Sequence, residues 1–177
     1  MKRRVFVVLA ALSCAAWATT QIPHTVPQRA MASDRVAVVE VTERKTVTDP
    51  VDPRKFKTHT LLTVRENVRG TGPSSVTLIQ LGGQRGEERV IVPGDAEFTL
   101  GERALVFLHC PAASPERCYL VAMGEGKLPI VDTDTVIVHD MFTHERARRS
   151  LRDLIAEVRA LPAGKVRGPA APKELSR

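Results

Sequence analysis

The amino-acid sequence predicts a mainly β domain, an antiparallel barrel or compact sandwich, completed by a C-terminal amphipathic helix. Three observations carry that expectation. Short runs rich in Val, Leu, Ile and Thr recur through residues 34–142, and Gly, Pro and Asp clusters part them. Their length and spacing suit strands joined by turns and not βαβ units. Only one later segment, 143–161, repeats apolar residues at intervals of three and four, the period of a helix face.

The elements follow in order. Residues 19–33, TTQIPHTVPQRAMAS, read as a polar, Pro-containing flexible lead-in to the 34–142 β-domain. RVAVVEVTER (35–44) alternates as a strand, and both its faces are apolar: Val36 and Val38 on one, Ala37, Val39 and Val41 on the other. Part of that strand is therefore expected to be buried from both sides. KTVTDPVDPRKF (45–56) is a connection with two turn-favouring Asp-Pro pairs. KTHTLLTVRENV (57–68) is the next strand and VTLIQL (76–81) the third. Gly82, Gly83 and Gly86 in LGGQRG supply left-handed or tightly turned backbone where the chain leaves the sheet. A phosphate-cradling glycine loop would lead into a helix N-terminus, whereas here ERVIVPG (88–94) follows as a fourth strand. RALVFLHC (103–110) is the strongest strand of the chain, with Phe98 expected to cap the core from the connection before it. CYLVAMG (118–124), GKLPIV (126–131) and TVIVHD (135–140) complete the β-domain.

In the helix, Ala147, Leu151, Leu154, Ile155 and Val158 form one apolar stripe, and Arg148, Arg149, Arg152 and Arg159 lie mostly outside it. Thr143 is the expected N-cap, and Pro162 with Gly164 is the stop. A basic amphipathic helix can lie on a membrane. Asp153 and Glu157 dilute the charge and the stripe has no large aromatic anchor, so packing on the barrel is the expected role. Residues 162–177 have the composition of a disordered basic tail.

The N-terminus reads as an export signal. MKRRVFVVLAALSCAAWA (1–18) has a basic start, a short apolar run and Ala16-Trp17-Ala18 as the cleavage site. The run is too short to span a bilayer, which takes about 20 residues, and no transmembrane span is expected elsewhere. Cleavage after Ala18 leaves 159 residues, one domain with a real core. Lipidation at Cys14, as in a bacterial lipoprotein, is the alternative, although the residue three before it is Ala11 where leucine is usual.

Charge narrows the function classes. The formal net charge is +6, yet residues 19–142 hold 14 basic and 16 acidic groups. The excess sits at the two ends. Nucleic-acid binding, which draws on clustered Lys and Arg against phosphates, is therefore not expected.

Export also sets the chemistry of the thiols. In an oxidising compartment, Cys110 at the end of one strand and Cys118 at the start of the next form a disulfide across a hairpin neck. A zinc site needs three or four convergent ligands, and His109 and Cys110, as strand neighbours, point to opposite faces. No metal or cofactor is expected. Neither cysteine lies in a motif that would generate a thiolate nucleophile, and the chain lacks the serine-hydrolase elbow, zincin, P-loop and dinucleotide patterns. No catalytic residue is assigned. Lys127, as an anion contact, with His109, Glu102 and His139 are the candidate ligand-contact residues. A pocket joining Glu88 or Glu102 to His109 or His139 would instead signal an enzyme.

Several stretches resemble a group of exported bacterial β-domain proteins: SDRVAVVEV, THTLLTVRENVRG, LGGQRG, VPGDAEFTLGERALVFL, YLVAMGEGKLPI and VIVHD. The shared core reads GExxLxFL followed by GK and covers about residues 33–140. More remotely, the order of strands, glycine turn and closing helix is similar to the OB-like barrel of netrin and tissue metalloprotease-inhibitor modules. That similarity implies an OB-like barrel and a binding role outside the cytoplasm. Those inhibitors contact zinc through a free N-terminal cysteine, whereas cleavage here exposes Thr19. The expected function is a non-catalytic exported binding or envelope-associated protein with an envelope or extracellular protein partner. A secreted enzyme or protease-inhibitor-like protein with a loop-assembled site is the alternative.

Overall fold

The computed structural model describes residues 24–49, 52, 54–139 and 145–162. The segment read as an export signal, with Cys14, the expected cap Thr143 and residues 163–177 of the tail lie outside them.

The chain is mainly β. Strands β1 (Arg35–Thr48) and β2 (Phe56–Arg69) form a long antiparallel pair with register shifts at Val36/Ala37, Val38/Val39 and Val41/Glu43. β3 (Ser75–Leu81) pairs antiparallel with β2, and β6 (Arg103–His109) pairs antiparallel with β1. Next to β6 run β7 (Arg117–Leu120) and β8 (Lys127–Pro129), and a 3-10 turn, Met123–Gly126, links these two. Two small hairpins complete the set: β4 (Gly83–Arg85) with β5 (Glu88–Val90), and β9 (Thr135–His139) with β10 (Arg146–Ser150).

The six-stranded sheet is mixed and not antiparallel throughout, because β3 and β7 pair in parallel at Thr77–Arg117 and Leu78–Cys118. Parity explains the exception. Pairing runs β1, β2, β3, β7, β6 and returns from β6 to β1. Strand direction cannot alternate round an odd cycle, so one of its contacts has to be parallel.

Both faces of β6 and of the first half of β1, to Val41, are buried, as the double-sided apolar pattern predicts. Ala37, Val39 and Val41 pack with Leu62, Leu78, Ala104, Val106 and Leu108 on one face. Phe98 reaches the same cluster and is 2% exposed, so it does cap the core. Val36, Val38, Leu105 and Phe107 pack on the other face against two helices, α1 (Val26–Ala32) and α2 (Leu151–Ala160).

Helix α1 corrects the expected flexible lead-in. Thr25 and Gln28 form a capping box, with the Thr25 amide donating to Gln28 Oε1 at 2.8 Å and Pro27 in the first turn. TVPQ is a legible start signal. Val26 and Ala30 then bury themselves in the core.

Helix α2 is shorter than the expected 143–161. Arg146–Ser150 are extended because they pair with β9, which leaves Ala147 exposed and outside the stripe. The cap is Ser150, whose Oγ accepts from the Asp153 amide at 3.2 Å, while Asp134 Oδ1 accepts from the Arg152 amide at 3.0 Å. Leu151, Leu154, Ile155 and Val158 are buried against the sheet. Among the described residues no helix is long and apolar enough to cross a membrane.

The expected fourth strand is also shorter. Glu88–Val90 form only a hairpin arm with β4, and Gly86, at φ 59°, turns the chain between them. Ile91 leaves the sheet and is 62% exposed.

Candidate binding groove

The cysteines form the predicted staple. Cys110 and Cys118 are joined, with Cα atoms 4.3 Å apart, beside the Leu108–Leu120 and His109–Tyr119 pairs of the β6–β7 hairpin. Replacing both by serine is expected to lower stability by about 2.5 kcal/mol through the freed loop entropy of the unfolded chain. Urea unfolding under non-reducing conditions measures it, and an unchanged midpoint would refute this role.

The four candidate contact residues do not converge. Lys127 and Glu102 do meet: Nζ lies 2.6 Å from Glu102 Oε1, donates to the Glu97 carbonyl and sits 4.6 Å from the Phe98 ring centroid. Its side chain is 9% exposed. Lys127 therefore ties the connection before β6 to β8, with its charge engaged inside the protein. His109 is at the other end of β6 from Glu102, about 20 Å along the strand at roughly 3.3 Å per residue. Its Nδ1 is 2.5 Å from Asp34 Oδ2, which also accepts from the Cys110 amide at 3.0 Å. His139 ends β9 opposite Arg146. Glu88 pairs with Arg85 at 2.5 Å on the exposed hairpin. Among the described residues, no three His, Cys, Asp or Glu side chains are grouped as a metal ion requires.

What the fold assembles is a groove of about 560 Å³. β1, β2 and β3 run on past the core, and Thr46, Thr58 and Gln80 give the groove a polar floor. One wall is the β4–β5 hairpin; the other is the connection through Phe98 and Thr99. Gln80 Nε2 fixes that second wall by donating to the Ala96 carbonyl at 2.7 Å. The 3-10 turn braces it further, since the Gly124 amide donates to the Gly94 carbonyl at 2.9 Å.

Around the groove stand Leu81, Val90 and Ile91, which are 64%, 48% and 62% exposed. An isolated exposed leucine means little, but grouped apolar side chains round a concavity mark an interaction surface. Arg44 and Arg89 supply positive charge at the same opening, and Asp95 and Glu97 supply negative charge. Arg89 is only loosely held by Glu97, at 3.6 Å. Asp95 is turned to its own wall and accepts from the Ala96 amide at 2.8 Å. On β2, His59 has a lowered pKa, caused first by burial and then by Arg117, Lys45 and Lys57. Its neutral form is favoured as a result.

The sequence reading missed this site. In sequence Leu81, Val90 and Ile91 show only as strand residues, because an apolar run does not tell a buried strand from one that projects past the core. The break after Val90 is the relevant signal: VIVPG lets the pattern end in exposed residues before proline stops it. Comparison with protein-family models and with curated proteins finds no match to the chain.

Proposed function

We propose that the protein is an exported, non-catalytic binding domain on an OB-like barrel, and that the groove between the β4–β5 hairpin and residues 91–99 is its contact surface. The observation that carries this is the grouping of Leu81, Val90 and Ile91, each about half exposed or more, round one concavity. The return of strand pairing from β6 to β1 supports the barrel. The basic and apolar N-terminus together with the Cys110–Cys118 bond supports export, since disulfides persist outside the reducing cytoplasm. Either a soluble form cleaved after Ala18 or a form anchored at Cys14 would present the groove to an envelope or extracellular protein.

Site-specific photocross-linking in the source cells tests the surface. A benzophenone side chain at Ile91 is expected to give a discrete adduct, and one at Arg148, on the β9–β10 hairpin, is not. Adducts from Arg148 with none from Ile91 would move the contact surface away from the groove.

A further inference from the structure

We infer that the groove takes up an extended polypeptide segment of a partner protein, one in which apolar side chains alternate with acidic ones. The inference rests on the groove being the contact surface and adds the chemistry of what enters it.

Three features converge on that ligand. The first is an open strand edge. β3 pairs with β2 over its whole length, but with β7 only at Thr77 and Leu78. The Thr77 amide donates toward the β7 side, to the Glu116 carbonyl, and the Gly82 amide donates toward β2, to the Phe56 carbonyl. By strand alternation Leu81 therefore directs its N–H and C=O away from β2, where no strand lies beyond Leu78 among the described residues. β5 likewise pairs with β4 alone. Two free edges thus frame the groove, and an extended chain can satisfy such edges through its own backbone.

The second feature is the apolar rim. Side chains of an added strand alternate between faces, so every second residue would meet Leu81, Val90 or Ile91. The third is charge. Arg44 forms no ion pair among the described residues, and Arg89 has only the 3.6 Å contact with Glu97. Asp95 is directed at the Ala96 amide, and the Arg89–Glu97 contact engages one charge of each sign. The lining carries Arg44, Lys45 and Arg89 against Asp95 and Glu97, so its balance is positive and complements Asp or Glu on the incoming strand.

Selection of a phage-displayed random heptapeptide library on the oxidised full chain tests this, with the exposed-site variant Ile91→Asp used to discard binders elsewhere. Surviving peptides are expected to alternate apolar residues with Asp or Glu. A synthetic survivor should lose about tenfold or more in affinity with Arg44→Glu plus Arg89→Glu, and little with Arg148→Glu. Survivors that are neutral or basic, binding indifferent to the double charge reversal, or no peptide that depends on Ile91 would overturn the inference. If cross-linking at Ile91 persists beside such a result, only the acidic strand is refuted. Loss of both removes the groove as the contact surface.

Discussion

Arg29→Ala is expected to destabilise the protein by about 1–3 kcal/mol, the cost of leaving a buried hydrogen-bond acceptor without its donor. Arg29 lies on α1 and is 2% exposed; Glu125, in the 3-10 turn, is 8% exposed. The guanidinium donates to the Glu125 carbonyl and lies 5.3 Å from the Phe107 ring centroid. Glu125 Oε2 also accepts from the His24 amide at 3.0 Å. Burial lowers the Arg29 pKa and Glu125 raises it, so the carboxylate offsets part of the desolvation that the cation suffers. Alanine would leave the Glu125 carbonyl without that donor and remove the positive charge near its carboxylate. The contact runs to the main chain and not to the carboxylate: Arg29 Nε and Glu125 Oε1 have no hydrogen-bond partner among the described residues. Arg29→Met, which keeps an unbranched apolar stem beside Phe107, should lose less than Arg29→Ala. Urea unfolding followed by circular dichroism gives both values. A loss below about 0.5 kcal/mol for Arg29→Ala, the range of ordinary surface substitutions, would mean that α1 is not clamped in this way.

Leu154→Ala should cost about 2–5 kcal/mol, the range for leucine truncation in a core. Leu154 is fully buried, and Leu151, Ile155 and Val158 flank it against Leu105 and Phe107. Truncation removes transferred apolar surface and leaves a cavity that the two helices and sheet close only in part. At the surface, Arg159 of the helix pairs with Glu66 of β2 at 2.7 Å, and Arg149 of β10 pairs with Glu157 of the helix at 2.8 Å. Replacing either arginine should change stability by roughly 1 kcal/mol or less. The same unfolding measurement orders these variants. A near-neutral Leu154→Ala, with vesicle binding lost in the arginine variants, would assign the helix to a membrane surface instead.

Much of the β framework was legible because burial stamps a period on it. The double-sided apolar pattern of 36–41 matches a strand packed on both faces, and RALVFLH is β6. Gly82, Gly83 and Gly86 adopt positive φ, as their turn role required. The misassigned pieces are those where a partner overrides local pattern. Arg146–Ser150 continue a helical spacing, yet pairing with Thr135–His139 draws them into a strand and shifts the cap to Ser150. Thr25–Gln28 carried a capping box, but the helix is only 7 residues long and owes its place to the core beneath it.

The candidate site was less legible. Lys127 looked like a free cation at the start of a strand, and its Glu102, Glu97 and Phe98 neighbours come from a connection more than twenty residues earlier in the chain. His109 and Glu102 bound the same strand and so face opposite ends of the sheet.

By itself, then, the order of residues determined the mainly β class, the two-sided burial of β6 and of the first half of β1, the left-handed glycine turns and the disulfide-stapled hairpin. Each depends on periodicity, backbone sterics or short chain separation, which a linear sequence carries directly. Tertiary structure alone decided the parallel β3–β7 contact, the Arg29–Glu125 clamp and the groove ringed by Leu81, Val90 and Ile91. Those features depend on which distant segments meet, a choice set by the combined burial of the whole core and by the parity of the strand cycle.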